Sequence, residues 1–176
     1  MNPAFVLFCI FLTNAPFQAA ISYSTFAHPK GDYVIQYPSD WKRVFGIQSL
    51  GLKPQGADSS KAKISLELYP SGKKSPKTPK AFIAELLKQS KGVKKLETRG
   101  KITVAGKNAE RLSLIETVPL KGEYGQILPG PMKEIYVIVR FGKKKYYVLK
   151  LEGIGNAFQN VLPEFERIVQ TIKLGI

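Results

Sequence analysis

Residues 26–41 run Phe-Ala-His-Pro-Lys-Gly-Asp-Tyr-Val-Ile-Gln-Tyr-Pro-Ser-Asp-Trp, and the fold depends on this stretch more than on any other. Its first half predicts a tight turn, because Pro29 presets its own φ and Gly31 accepts a positive φ. The run Tyr33–Tyr37 predicts a strand. Pro38 ends that strand, since proline has no backbone N–H to offer a neighbouring strand. We therefore expect a strand, a turn, a second strand and a stop.

The same stretch carries a family resemblance. The residues concerned are turn formers, aromatic positions and the only tryptophan, a large apolar anchor: Phe26, Pro29, Gly31, Tyr33, Tyr37, Pro38 and Trp41. In these residues the chain resembles the PsbP-like domains, whose relatives include the PsbP subunit of the oxygen-evolving photosystem and a nuclear-transport factor that binds the Ran GTPase. The similarity of pattern extends through Ile172. It implies an α-β-α sandwich but leaves the partner open, because the relatives bind different partners.

The composition indicates one folded, strongly basic domain. The chain has 176 residues, enough to bury a core, and 27 Lys and Arg against 13 Asp and Glu give a formal charge of +14. Such a surface attracts anionic lipid, nucleic acid, acidic polysaccharide or an acidic protein face, although excess lysines also simply keep an exported domain in solution. Nucleic acid is the poorer choice, because aromatic residues are not interleaved with the lysines as single-strand binders require.

The N-terminus has the pattern of an export signal. Residues 1–20 contain no Lys, Arg, Asp or Glu, and Phe5–Leu12 is an unbroken apolar run that is too short to span a bilayer. We expect cleavage after Ala20 or after Ser22, which leaves residues 23–176 as a single domain in the periplasm, outside the cell or at a membrane surface. The alternative is a buried N-terminal strand or helix, which the absence of an amphipathic period disfavours.

The rest of the chain predicts strands, two helices and one antiparallel sheet. Thr78 and Pro79 predict the start of a helix that Gly92 ends, and a second amphipathic helix is expected over 156–173, with a break at Pro163. Strands are expected as one bent or two short ones in 43–53, then at 63–69, 94–104, 108–117, 133–141 and 146–153, the last two being central because both faces are apolar.

Two connections in this pattern differ in length. The turn over 105–107 predicts a hairpin with a connection of three to four residues. Residues 118–132 form either a functional loop or a hairpin tip, since both are consistent with their prolines and glycines. The sum of these elements predicts an α+β fold, a mostly antiparallel sheet with helices on its faces.

The sequence lacks the groups that catalysis or metal binding requires. Cys9 lies in the predicted signal, so the mature chain would contain no cysteine for a disulfide, a nucleophile or a metal site. His28 is the only histidine and no serine lies in a glycine-flanked turn, which argues against a Ser-His-Asp hydrolase. Glu164 and Glu166 are two apart on a helix and face away from each other. We expect no enzyme activity, no cofactor and no metal, although the resemblance to PsbP would suggest divalent ions.

The lysine clusters are the remaining candidates for function. Further lysines lie at 91, 94 and 95. Two other clusters lie in predicted connections, one in the loop 70–80 and one at the hairpin tip 142–145, and they would form one basic patch if the fold brings them together: Lys73, Lys74, Lys77, Lys143, Lys144 and Lys145. The leading hypothesis is an exported, non-catalytic assembly module that contacts an acidic protein partner through these loops. The alternatives are a peripheral binder of anionic envelope lipid or polysaccharide, and a small ligand carrier or hydrolase.

Overall fold

The computed structural model describes residues 21–46, 49–56, 60–70, 78–121, 126–142 and 145–175. The predicted export signal lies outside these residues. Within them the chain forms ten strands and two helices: β1 Tyr23–Ala27, β2 Tyr33–Pro38, β3 Lys42–Phe45, β4 Ser49–Lys53, β5 Ala62–Pro70, α1 Pro79–Ser90, β6 Lys94–Val104, β7 Lys107–Lys121, β8 Ile127–Phe141, β9 Lys145–Ile154, α2 Gly155–Thr171 and β10 Lys173–Leu174.

The strands form two antiparallel sheets. The larger has the order β3-β4-β5-β9-β8-β7-β6 and the smaller the order β1-β2-β10. The predicted α+β class is confirmed, but the expectation of one sheet is wrong, because within the described residues β1, β2 and β10 pair with one another and with no strand of the larger sheet. In β10, Lys173 pairs with Val34 and Leu174 with Tyr33. A strand of two residues is too short to show an alternating period, so this pairing leaves no signal in the sequence.

The β1–β2 hairpin has the predicted turn. The N–H of His28 donates to the carbonyl of Tyr33 at 2.9 Å, and the N–H of Gly31 donates to the carbonyl of His28 at 2.8 Å. Gly31 has a φ of 66°, which is the conformation that glycine adopts without cost. Pro38 is the last residue of β2 and pairs with Tyr23. His28 and Tyr33 form a hydrogen-bonded pair, and such pairs alternate with non-hydrogen-bonded pairs along the hairpin. Pro38 and Tyr23 form a non-hydrogen-bonded pair, so the backbone nitrogen of Pro38, which carries no hydrogen, points away from β1.

Apolar side chains cover both faces of the seven-stranded sheet. On one face α1 inserts Ile83 among buried residues of β7, β8 and β9. On the other face α2 and the small sheet bury Phe165, Val137 and Leu149 completely. Burying one such side chain stabilises the fold by about 1.5–3 kcal/mol. The prediction that β8 and β9 are central is confirmed, because β9 has three strands on either side.

The helix α2 runs through Pro163 without a break. The sequence predicted an interruption there, because proline cannot donate to the carbonyl four residues earlier. In the structure Pro163 is exposed. The buried residues Val161 and Phe165 on either side hold the helix against the sheet. One lost hydrogen bond on the solvent side therefore does not outweigh the packing of the apolar face.

The hairpin connections are shorter than the sequence predicts. Val104 pairs with Lys107, so only Ala105 and Gly106 form that turn, with φ values of 49° and 70° that indicate a type I′ turn. Most of residues 118–132 belongs to β7 and β8, whose ladder extends to the pair of Lys121 and Ile127. This answers the open choice in favour of a long hairpin, because cross-strand pairing satisfies backbone groups that a loop would leave to water.

Candidate binding surface at the basic end of the sheet

The six predicted contact lysines fall into two groups in the structure. Lys145 is described, and it is the first residue of β9 rather than part of the turn, since it pairs with Phe141. The other five lie outside the described residues: Lys73, Lys74, Lys77, Lys143 and Lys144. No geometry is therefore assigned to those five side chains.

The register of β5 and β9 relates the two lysine-rich segments. Pro70, the residue before segment 71–77, pairs with Lys145, the residue after segment 143–144. Neighbouring strands are about 5 Å apart, so both segments leave the sheet from the same end and from adjacent strands. We call this end, marked by Pro70, Phe141 and Lys145, the basic end.

Two further cations lie at the basic end among the described residues. Arg140 is exposed and pairs with Tyr146, one step from Lys145. Lys107 begins β7, and its Nζ lies 5.2 Å from the centre of the Phe141 ring, a cation–π contact. The basic character of this end therefore does not depend on the two lysine-rich segments alone.

Asp32 joins the basic end to the β1–β2 turn. Its Oδ1 lies 3.3 Å from the Nζ of Lys145 and its Oδ2 lies 3.1 Å from the Nδ1 of His28. Its backbone carbonyl accepts from the hydroxyl of Tyr147 at 2.8 Å and from the N–H of Gly175 at 2.9 Å. Burial, together with the nearby Asp32 carboxylate, raises the pKa of Tyr147, so this phenol stays a donor. Asp32 thus fixes the turn, β9 and the C-terminus together.

His28 has a structural setting. Its ring stacks on Tyr33 with 4.9 Å between ring centres and an interplanar angle of 22°. The Nδ1 atom is close to Asp32 but is not aligned for a hydrogen bond, so the contact is electrostatic only when the ring is protonated. No serine hydroxyl is hydrogen-bonded to this ring among the described residues. The backbone N–H and carbonyl of His28 are both hydrogen-bonded in the β1–β2 turn, so we interpret His28 as a turn residue.

A row of alternating charges crosses the α1 face of the large sheet, and no local pattern in the sequence indicates it. The Nζ of Lys94 lies 2.6 Å from Glu134, and the Nζ of Lys150 lies 2.7 Å from Glu134 and 2.5 Å from Glu152. The row is neutral overall, and we call it the charge ladder: Lys63, Glu152, Lys150, Glu134, Lys94 and Glu116.

The charge ladder shifts the pKa values of Glu134, Lys150 and Glu152. Burial would raise the pKa of Glu134, but hydrogen bonds from Lys150 and Lys94 overcome it and hold that pKa below its ordinary value. Burial lowers the pKa of Lys150, but the hydrogen bonds to Glu134 and Glu152 outweigh it, so the net shift is upward. Burial also raises the pKa of Tyr136, whose hydroxyl lies 3.3 Å from Glu134, to about 12. Glu134 and Lys150 therefore stay charged and paired at neutral pH, while Tyr136 stays a neutral phenol, which suits a structural role.

The glutamates of α2 face separate partners, as the sequence predicts. Glu166 accepts two hydrogen bonds from the guanidinium of Arg111, and this contact ties α2 to β7. Glu164 accepts from the hydroxyl of Tyr23 at 3.0 Å. Within the described ranges, no three His, Cys, Asp or Glu side chains come close enough to hold a metal ion. No helix in those ranges is long and apolar enough to cross a membrane.

The described residues line a basic cleft and an aromatic cleft at the surface, both small. A basic cleft of about 170 Å³ lies at the far end from Lys145 and includes Lys53, Lys61 and Lys63, the last of which pairs with Glu152. An aromatic cleft of about 320 Å³ lies between the β1–β2 and β3–β4 hairpins and is lined by Phe26, His28, Pro29, Tyr33, Phe45, Gly46 and Ser49. Among the described contacts, no hydrogen bond joins Ser60 to Glu152 in the basic cleft or Ser49 to His28 in the aromatic cleft.

Comparison with known proteins identifies the fold. No family model matches the sequence, and no curated protein matches it. The solution structure of the cyanobacterial PsbP protein CyanoP from Synechocystis sp. PCC 6803 superimposes with a TM-score of 0.58 at 13% identity, over 93% of this chain and 98% of that one. The chain has the PsbP-like fold. This confirms the resemblance on which the sequence analysis relied.

Other proteins with the PsbP-like fold come from different organisms. The Ran-binding protein Mog1p of Saccharomyces cerevisiae matches with a TM-score of 0.52 at 12% identity, over 86% of this chain and 98% of that one. LpqN of Mycobacterium tuberculosis, described as involved in cell envelope biogenesis, matches with a TM-score of 0.55 at 14% identity, over 89% and 92% of the two chains. At such identities the likeness establishes the PsbP-like fold and nothing about the partner.

Proposed function

We propose that this chain is an exported, non-catalytic binding module that contacts an acidic protein partner through the basic end of its large sheet. The observation that carries the proposal is the pairing of Pro70 with Lys145, because each of these residues adjoins a lysine-rich segment and the two lie on adjacent strands. The formal charge of +14 gives such a surface a long-range attraction for acidic partners.

The chemistry of the described side chains supports binding over catalysis. The carboxylates that the fold buries, Asp32 and Glu134, are each paired with cations. A general base is a carboxylate or imidazole that faces the substrate and has an acceptor atom free to take a proton. The PsbP-like fold is also found in a Ran-binding protein and in a protein of cell envelope biogenesis, which agrees with a role in binding or assembly.

The proposal is tested by capture of partners from an envelope extract on immobilised residues 21–176. A test variant changes the six predicted contact lysines to Gln, which lowers the charge from +14 to +8. A matched control has the same charge of +8 through three exposed lysines at the opposite end of the sheet, Lys61→Glu, Lys91→Glu and Lys95→Glu. Capture is compared at about 0.05 M and about 0.15 M salt, where screening lengths differ.

We expect one acidic protein to be retained at the higher salt by the parent and by the matched control, and lost by the test variant. Equal capture by parent and test variant would refute the basic end as the contact surface. Retention of lipid or polysaccharide alone, at the lower salt only, would replace the proposal with peripheral association to an anionic envelope.

A further inference from the structure

The outer edge of β3 is free to pair among the described residues. β3 is the terminal strand of the large sheet and pairs only with β4. The N–H of Gly46 donates to the carbonyl of Ser49 at 2.9 Å, which makes these two a hydrogen-bonded pair. Such pairs alternate along an antiparallel ladder, so the backbone groups of Arg43 and Phe45 point away from β4.

Half of this four-residue edge strand is apolar and exposed, beside the charged Lys42 and Arg43. Val44 is 52% exposed and Phe45 is 59% exposed. Natural edge strands avoid unwanted pairing with prolines, bulges or inward-pointing charges, and an open apolar edge is a place where another strand adds. The side chain of Phe45 also forms one wall of the aromatic cleft, so the edge and the cleft are one continuous surface.

The aromatic cleft has room for a large apolar side chain. The Phe26 ring centre lies 5.4 Å from that of Phe45 and 6.0 Å from that of Tyr33. His28 and Pro29 complete the wall on the side of the turn. A volume of about 320 Å³ is at the lower end of the range for ligand sites, which suits one inserted side chain better than a whole cofactor.

Arg43 determines the charge of the occupant. Its guanidinium carbon lies 5.8 Å from the Phe26 ring centre, 5.9 Å from that of Tyr37 and 5.6 Å from that of Phe45. In the described part of the chain no carboxylate pairs with it. The surrounding stretches 23–31 and 42–53 contain no Asp or Glu, while Lys42 and Lys53 add positive charge. A carboxylate would complete the hydrogen bonding of a guanidinium that aromatic rings already orient.

We propose that β3 and the aromatic cleft bind an extended acidic peptide of a partner, which adds an eighth strand to the sheet and inserts one large apolar side chain into the cleft beside Phe26 and Phe45. The backbone of the peptide pairs with Arg43 and Phe45, and one of its carboxylates binds the Arg43 guanidinium. This site does not use the lysines of the basic end, and it does not rest on the function proposed above.

The test begins with a displayed library of random seven-residue peptides, selected on residues 21–176 at about 0.15 M salt. We expect enrichment of sequences that alternate apolar and acidic residues and contain an aromatic or large aliphatic residue. Enrichment without acidic residues, or no enrichment, would contradict the proposal. One enriched peptide is then synthesised and its Kd measured by calorimetry.

Two substitutions at one position separate side-chain from backbone contacts. Arg43→Ala removes the guanidinium and its contacts with the aromatic rings but keeps the backbone N–H, and we expect it to raise the Kd about tenfold. Arg43→Pro also removes the outward N–H while keeping the bonds to β4, so it should weaken binding further. The variant with six lysines changed at the basic end serves as the control, and we expect its Kd to stay within about threefold of the parent. Equal binding by the parent and Arg43→Ala would overturn the proposal, and thermal unfolding checks that each variant folds.

Hydrogen exchange of single amides reads out strand addition directly. In the free protein the N–H of Val44 faces β4 and should exchange slowly, whereas those of Arg43 and Phe45 should exchange fast. Addition of the peptide should slow both of the latter. Binding without that change would refute strand addition. If the amides of Arg43 and Phe45 exchange more slowly as the protein concentration rises in the absence of peptide, the occupant is a second copy of the chain instead.

Discussion

Glu134 shows how a single buried charge is made stable in this fold. Its side chain is 3% exposed, yet it remains ionised because two lysines, Lys94 and Lys150, donate to it from either side. A buried ion pair gives little net stability when it forms, but the loss of one member leaves the others desolvated and unpaired. The charge ladder is therefore a constraint on sequence more than a source of stability.

The substitution Glu134→Gln tests this constraint. At about pH 7 we expect it to lower the free energy of unfolding by about 1.5–3 kcal/mol, because two lysines lose a charged acceptor. The pKa of Glu134 is lower folded than its ordinary value of 4.5, so its stabilisation is complete above that value and is lost as the pH falls through the folded pKa. The parent should therefore lose stability in acid faster than the variant.

The measurement is chemical unfolding of both proteins at several pH values from about 7 to about 3. Glu85→Gln is the control, since Glu85 is exposed on α1 and, within the described residues, is hydrogen-bonded only to Gln89. Its curve should run parallel to that of the parent. Parallel curves for parent and Glu134→Gln would show that Glu134 does not carry the effect.

At the scale of elements, β10 has an influence out of proportion to its two residues. Leu174 is buried against the large core, and the N–H of the following Gly175 donates to the carbonyl of Asp32. The strand completes the small sheet and holds the β1–β2 turn against β9. The C-terminus thus stabilises the position of residues that are far away in sequence.

A chain that ends at Ile172 should show the contribution of β10. We expect its free energy of unfolding to fall by about 2–3 kcal/mol through the loss of the buried Leu174 and of backbone hydrogen bonds to β2 and Asp32. Urea unfolding measures the difference. A chain that ends at Gly175 retains β10 and should unfold like the full chain. If both shortened chains unfold alike, β10 has no such role.

At the scale of the whole molecule, the charge ladder is neutral and the net positive charge lies on other residues. The charge ladder contains three lysines and three glutamates, so the net charge of +14 resides on other residues. Like charges on a surface repel one another and destabilise the compact state, and salt screens exposed charges more than buried ones. Surface repulsion should therefore dominate the response to salt.

We expect the melting temperature of residues 21–176 to rise as sodium chloride increases from about 0.02 M to about 0.2 M, since the screening length shortens to less than about 10 Å. Scanning calorimetry measures the shift. The variant with six lysines changed to Gln carries +8 and should show a smaller rise. A fall in melting temperature with salt would mean that attractive surface pairs, not repulsion, determine the balance.

Much of the fold was predictable because it depends on local chemistry. Thr78 caps α1 through a hydrogen bond to the N–H of Ala81, and Pro79 begins the helix as its sequence predicts. The β1–β2 turn follows from Pro29 and Gly31. Of the candidate site, the lysines were found from composition, but the register that places Pro70 opposite Lys145 was not, because pairing depends on residues 75 positions apart.

By itself, the sequence determined the α+β class, the helices, the central strands and the positive charge, since each depends on periodicity, turn residues or composition within a short window. Only the tertiary structure decided the second sheet, the continuity of α2 through Pro163, the charge ladder and the open edge at Arg43 and Phe45. Each of these depends on contacts between residues distant in the chain, whose energies come from burial and from pairing that no local pattern contains.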